Sequence, residues 1–372
     1  MRKRSHWIHI GVFSLTLILL TGCGVFQGEQ TLEEMDSPPE EASYTDDLDG
    51  VPEEGTESEE GTEVEETETE ESLETVAETE TIQRELYLLD SNGMVVSQVL
   101  ELPKRESNEV ATQALEYLVK GGPVTNILPN GFEAVLPAGT QILGLNLKED
   151  GTLVVDVSKE FAEYRPEDEQ RIIQAMTFTL TQFENVEKIN LWINGYEQKE
   201  MPVNGTPISE GYSRANGINI YHGDTVDLMD SKAVTLYYPA QHNENFYHVP
   251  VTQHIEMKND DLYQSIVQAL IEGPSYELDL LNVFNNGATL VENPNYKDGV
   301  LTLKFNENIL NSVAEGSISD EVMETLVLTL TDQPGVDAVS VGVENMQQVF
   351  NESGVPYSEP VTRDTFVPTE SL

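Results

Sequence analysis

Cysteine is almost absent from this 372-residue chain. The single one, Cys23, can close no internal disulfide, so any exported folded part must hold together by packed cores alone. Basic residues are also scarce: 19 Lys and Arg stand against 67 Asp and Glu, for a formal charge of −48. That balance excludes nucleic acid, and anionic lipid headgroups, as ligands of a basic surface. Long apolar runs are missing. The one conspicuous run, residues 8–20, holds 13 residues and is too short for a comfortable membrane span. Catalytic signatures are missing as well, for the chain has no GxSxG, no HExxH, no Walker loop and no GxGxxG.

What is present begins with a charged start. Arg2, Lys3 and Arg4 precede the apolar run, which is the layout of an export signal. The run ends in Leu20-Thr21-Gly22-Cys23, which resembles the bacterial lipobox. The resemblance implies cleavage before Cys23, lipid on its sulfur and acylation of the new amino terminus. Several acyl chains hold a protein on a bilayer, where one chain gives only marginal binding. The alternative is an ordinary leader with a stray cysteine. The only cysteine of the chain stands at the cleavage point, which argues against it.

Residues 24–80 are a different material, with 23 Asp and Glu, no Lys or Arg and almost no apolar clustering. Such a segment cannot bury enough apolar surface to offset its ordering entropy, and a disordered acidic tether is expected. Its 57 residues would span on the order of 40 Å as a plain coil, and like charges extend it further. No calcium-loop spacing occurs among those carboxylates. Residues 81–372 keep 16 basic against 44 acidic residues, so neutral or basic proteins are the expected partners.

The body is long enough for two domains, and its self-similarity divides it at 81–228 and 229–372. Residues 85–89 and 94–102 read as strands around Ser91-Asn92-Gly93, and residues 233–238 and 246–251 as their counterparts around a longer loop at 239–248. A helix follows in each copy. Val110, Ala111, Ala114, Leu115, Leu118 and Val119 fall at helical spacing after a Ser107-Asn108 cap and run to Gly121-Gly122-Pro123. Leu262, Ile266, Val267, Leu270 and Ile271 run to Gly273-Pro274, so LVKGGP answers LIEGP. Hairpins then turn at Asp150-Gly151 and Asp298-Gly299. The strands leaving them alternate, with Leu153, Val155 and Val157 inward in one copy and Leu301, Leu303 and Phe305 in the other.

A second helix opens at Pro166-Glu167-Asp168 and uses Ile172, Ile173, Met176, Leu180 and Phe183. Its partner opens at Ser319-Asp320-Glu321 and uses Val322, Met323, Leu326, Val327 and Leu330. FTLTQFENV then answers LTLTDQPGV, and the tail SEGYSR at 209–214 answers SEPVTR at 358–363. The order β-β-α-β-β-α-β, twice, gives an α+β fold with helices packed on one face of a sheet.

One residue stands out for binding. In the strand after FTLTQFENV, Ile189, Leu191 and Ile193 share one face and Asn190, Trp192 and Asn194 the other. The matching strand has Val339, Val341 and Val343 inward, with Ala338, Ser340 and Gly342 outward. An indole on a polar sheet face is a candidate partner contact. The competing expectation is that Trp192 lies under its own tail, through Tyr196, Met201 or Tyr212, or under the second copy. His248 and His254 lie six apart on one strand face without a third ligand, so a solvated surface is expected rather than a metal site. In so acidic a chain some carboxylate pair must fall at hydrolase separation, which carries little weight.

The lipobox, the acidic tether and the two copies together resemble the GerM family of sporulation and germination lipoproteins, which carry tandem GerM domains. The resemblance covers residues 1–23 and 81–372 and rests on the paired motifs quoted above. It implies a fold like the ring-building motifs of secretion systems and a link to the envelope complex between mother cell and forespore. It also implies a link to septal peptidoglycan. The expectation is a lipid-anchored scaffold on the extracytoplasmic face of the membrane, not an enzyme, with no cofactor and no metal. Its partners would be the membrane, through Cys23, and other envelope proteins of the sporulation machinery, with peptidoglycan as a further candidate. The alternatives are a peptidoglycan-acting or peptidoglycan-binding lipoprotein and a transporter's solute-binding lipoprotein.

Overall fold

Alternation and turn chemistry build the same frame twice. A computed structural model describes residues 80–106, 109–223, 230–243, 245–257 and 261–367. The export segment, Cys23 and the acidic tether lie outside the described residues, as does the Ser107-Asn108 cap. In the first copy β1 (Thr81–Asp90) and β2 (Val95–Pro103) pair antiparallel, with Leu89 opposite Val95. Asp90 Oδ1 closes their turn by accepting from Asn92 N at 2.9 Å and Met94 N at 2.8 Å, and Gly93 supplies a φ of +74°. Helix α1 (Val110–Glu116) and a short β3 (Phe132–Glu133), paired to β1, follow.

A second sheet holds β4 (Ile142–Leu147), β5 (Thr152–Val157), β6 (Lys188–Ile193), β7 (Tyr196–Glu197) and β8 (Tyr212–Ser213). β4 pairs antiparallel with β5 along one edge. β5 and β6 pair parallel, Leu153 opposite Ile189, because α2 (Glu169–Leu180) carries the chain back between them. The second copy repeats the plan with β9 (Ser231–His242), β10 (Asn245–Glu256), α3 (Leu262–Glu272), β11 (Asn295–Lys297) and β12 (Val300–Phe305). It finishes with α4 (Asp320–Thr331), β13 (Ala338–Val343) and β14 (Val361–Thr362). Ser319 caps α4 by accepting from Val322 N at 3.2 Å.

The structure corrects the single-sheet expectation. Each copy has two sheets, a hairpin and a mixed sheet, with the second helix packed against both. That position explains why α2 buries Thr177 and Thr179 beside Ile172, Met176 and Phe178. Thr179 and its counterpart on α4 each hold the hairpin: Thr179 Oγ1 accepts from Tyr87 N at 3.0 Å, and Thr329 Oγ1 accepts from Tyr237 N at 2.9 Å. The alternating residues of β5 and β12 are buried as expected, Leu153 at 3 % exposure and the other five at 0 %. A fully buried side chain of this size contributes roughly 1.5–3 kcal/mol.

Three further expectations change. Helix α1 ends at Glu116, not at Gly121; its last residues continue as a turn that still buries Leu118 and Val119, and Val119 bridges to Leu136. Phe183 lies beyond the end of α2 yet is 3 % exposed. The longer loop at 239–248 is not a loop. β9 and β10 extend through it, pairing His242 with Asn245, and Asn243 takes a φ of +55° in the turn.

The two copies lie in one compact unit around a continuous core. The extended hairpin reaches across: Tyr247 Oη donates to the buried Asp90 Oδ2 at 3.0 Å, and its ring meets Phe132 edge-on at 5.1 Å. Asn219, between the copies, donates to Val95 O at 2.7 Å and Pro250 O at 2.8 Å, while its Oδ1 accepts from Val95 N at 2.8 Å. A reciprocal exchange of arginines completes the seam. Arg214 of the first tail donates to Phe178 O and Thr181 Oγ1 in its own copy and to Asp332 Oδ1 in the second. Arg363 of the second tail donates to Leu328 O and Tyr237 Oη and lies 3.8 Å from Glu85 of the first. Each guanidinium also covers an aromatic ring, Phe178 at 4.6 Å and Tyr237 at 5.2 Å.

Candidate functional site

Acid–base chemistry needs a carboxylate or imidazole with a free face. Two enclosed carboxylates at the start of α2 have none. Glu169, at 0 % exposure, accepts from Val203 N, Asn204 N, Thr206 N, Thr206 Oγ1 and Tyr164 Oη. Burial opposes its charge, but the Thr206 and Asn204 hydrogen bonds win and hold its pKa below the ordinary value. Asp168 is likewise lowered against burial by Arg165 and Arg171, at 2.9 and 3.2 Å. Glu169 fastens the loop after β7 to the start of α2, and Asp168 braces that start through the two arginines.

His248 contradicts the expectation of a solvated surface. It is 6 % exposed, with Nε2 3.0 Å from Thr325 Oγ1 and Nδ1 3.3 Å from Glu324 Oε1 on α4. His254 is half-buried and reaches Ser231 Oγ at 3.1 Å. Alternation placed them on one strand, but α4 decided what His248 meets and the neighbouring strand β9 what His254 meets. Among the described residues no group of three His, Cys, Asp or Glu side chains could hold a metal ion.

Trp192 occupies a different setting. The parallel register puts it beside Asp156, on the face of the mixed sheet away from the helices. Gly144, Asn146 and Lys148 of the neighbouring strand, Val154, Asp156 and Trp192 line a groove of about 270 Å³ there. Trp192 is half-buried, and its Nε1 and the Oδ1 of Asn190 are buried without a hydrogen-bond partner among the described residues. Of the side chains expected to cover it, Tyr196 is 76 % exposed, while Met201 and Tyr212 are buried. Asp156 Oδ1 accepts from Gly195 N at 2.9 Å.

Reading β5 and β6 as a parallel pair would have brought Asp156 to Trp192 from sequence alone. The signal for it was the helix between two alternating strands. In the second copy the same positions hold Lys304 and Gly342, and Lys304 is already paired with Glu292. The inward parity of Val339, Val341 and Val343 holds there, but Ala338, expected outward, is buried at 6 % where β14 pairs with it.

Comparison with known proteins agrees with the duplicated frame. The family model described as "Germane: Sporulation and spore germination" matches residues 85–199 and again 235–349. The spore germination protein GerM of Bacillus subtilis (strain 168) is 46 % identical over 366 residues, 98 % of each chain. The solved tandem GerMN domains of that sporulation protein superpose with a TM-score of 0.71 at 47 % identity, over 78 % of this chain and 100 % of theirs. Its first GerMN domain, solved separately, is 58 % identical over 36 % of this chain and 98 % of its own, with a TM-score of 0.34.

Proposed function

The chain belongs to the Germane family of sporulation and spore germination proteins, and on that premise we propose that it serves as a lipid-anchored, extracytoplasmic, non-enzymatic scaffold in sporulation or germination. The observation that carries the reading is the seam. Two copies of one module are locked by reciprocal arginine contacts into a single unit with one core. Such a body presents two related but unequal outer faces at fixed positions, which suits docking of neighbours. The Leu20-Thr21-Gly22-Cys23 segment and the acidic tether fit a body held off a membrane by a long extensible link. The neighbours are other proteins of the spore envelope, and ring assembly is one form the scaffold could take.

Heat-resistant spore counts of a deletion strain, complemented by the wild-type chain or by Cys23→Ala, test this. The expected result is a collapse restored by wild type and not by Cys23→Ala. An unchanged count in the deletion strain would remove the scaffold reading.

A further inference from the structure

The two mixed sheets end in different edges. β4 is a six-residue edge strand, Ile-Leu-Gly-Leu-Asn-Leu, without a charge, and its pairing with β5 shifts register between Ile142 and Gly144. Leu143 and Leu147 on it are 49 % and 39 % exposed. The second copy's edge is broken: residues 295–297 pair with β12, Leu290 bridges to Phe305, and Glu292-Asn293-Pro294 interrupt between them. Proline, charge and short strands are the usual protection of an edge against added strands. β4 lacks all three.

Behind that edge the sheet face is prepared for a charge. Asp156 is half-buried; it accepts a hydrogen bond from the Gly195 amide, and among the described residues no lysine or arginine forms an ion pair with it. Trp192 stands beside it. Gly144, opposite Asp156 in the ladder, lies between them and the edge. Its φ is not positive, and a β-carbon placed there meets no atom within 4 Å. Gly144 stands at the register shift of the ladder, and with no side chain it leaves an open path from the edge to the carboxylate. Lys148 lies at the far end of the groove, near Asp150, whose pKa is lowered by hydrogen bonds from Thr152 and, less strongly, by the Lys188 and Lys148 charges.

We propose that β4 is a docking edge for an extended segment of a partner protein, which adds as a strand and lays an arginine or lysine over Gly144 against Asp156 and Trp192. Strands sit about 4.8 Å apart, so β5 lies about 10 Å from the added strand, within reach of an extended basic side chain. A cation against an indole and a carboxylate, both partly desolvated, is a favourable pairing. The charge of the body selects the sign: 16 basic residues against 44 acidic ones, with Glu149, Asp150 and Glu187 around the end of the strand. The added backbone hydrogen bonds supply affinity and the pocket supplies selectivity, as in other strand-addition complexes. The site deepens the scaffold reading and rests on it.

The test uses the full chain carrying Trp7→Phe, which leaves Trp192 as its only tryptophan. The probes are a blocked peptide of alternating valine and threonine with a central arginine, and its twin with glutamate at the centre. A saturable shift of the indole emission is expected, with slowed amide exchange across β4. The glutamate twin, and the arginine peptide on Asp156→Asn, should bind about tenfold more weakly or worse. Gly144→Val should abolish binding while melting at or above the parent temperature, since valine suits a strand better than glycine. Equal binding of both peptides, undiminished binding to Gly144→Val, or no saturable change overturns the proposal. So does a Gly144→Val-sensitive dimer of the chain alone, which would assign the edge to a second copy.

In cells, a Gly144→Val strain with parental protein level should lose heat-resistant spores toward the deletion count. A normal count there, beside a collapsed deletion strain, overturns the docking edge and leaves the scaffold reading standing. A normal count in the deletion strain removes both.

Discussion

The two copies share a frame and differ on their outer faces. In the first, the strand pair at the centre of the mixed sheet carries the half-buried Asp156 and Trp192 beside an uncharged edge strand. In the second, the same positions carry Lys304 and Gly342, the lysine is neutralised by Glu292, and the edge is interrupted. Inward residues obey the same rule in both, because a core tolerates little besides apolar atoms of the right volume. Outward residues answer to whatever each face meets, so they were free to diverge. Duplication kept the scaffold and made its surfaces unequal.

That contrast can be broken most severely at Glu169. Its counterpart in the second copy is the N-cap Ser319, which makes one capping bond where Glu169 gathers five. Glu169→Ala should cost about 3–5 kcal/mol, because it strips a buried network of its acceptor. Chemical denaturation would measure this, with amide exchange showing the loss concentrated in residues 201–206. The same group makes the first copy acid-sensitive. Its folded pKa is lowered, so its stabilisation is complete above the ordinary carboxylate value of about 4.3 and is lost as pH falls through the lowered value. Amide exchange followed from pH 6 to pH 3 should open the loop at 201–206 before the N-terminus of α4.

The seam sharpens the comparison at the next size down. Arg214→Ala and Arg363→Ala should each cost about 2–3 kcal/mol, and the double variant less than their sum. The two guanidiniums share one cluster with Tyr87, Tyr237, Glu85 and Asp332. Thermal melting of the four chains of that cycle decides it, and strict additivity would mean two independent tails. The smallest effect belongs to the second copy's outer face. The Lys304–Glu292 pair is 42 % and 63 % exposed, so Lys304→Ala should shift stability by no more than about 0.5 kcal/mol.

Much of the frame was legible beforehand, and for particular reasons. Leu153, Val155 and Val157 declared their face by alternation, and the Asp-Gly turns fixed where the hairpins close. The tails SEGYSR and SEPVTR were recognisable as equivalents, though not as the carriers of Arg214 and Arg363 into a common seam. Residues 239–248 read as loop because proline, histidine and asparagine are poor strand formers, and packing against the first copy overrode that preference. His248 read as surface because one imidazole carries no periodic signal of its own. The covering helix α4 supplied Thr325 and Glu324, from a segment 76 to 77 residues away.

By itself, then, the sequence determined the charge, the duplication, the order of elements and which side of each strand is apolar. Those follow from composition and from periods of two and 3.6 residues, which are local. Only the tertiary structure decided that the copies exchange arginines across one core, that Glu169 is spent on a loop, and that the face beside Asp156 and Trp192 lies open at Gly144 on the edge strand. Each of these joins residues far apart in the chain through the parallel β5–β6 pairing or the packing of α2 and α4. No local pattern records which distant group a side chain will meet.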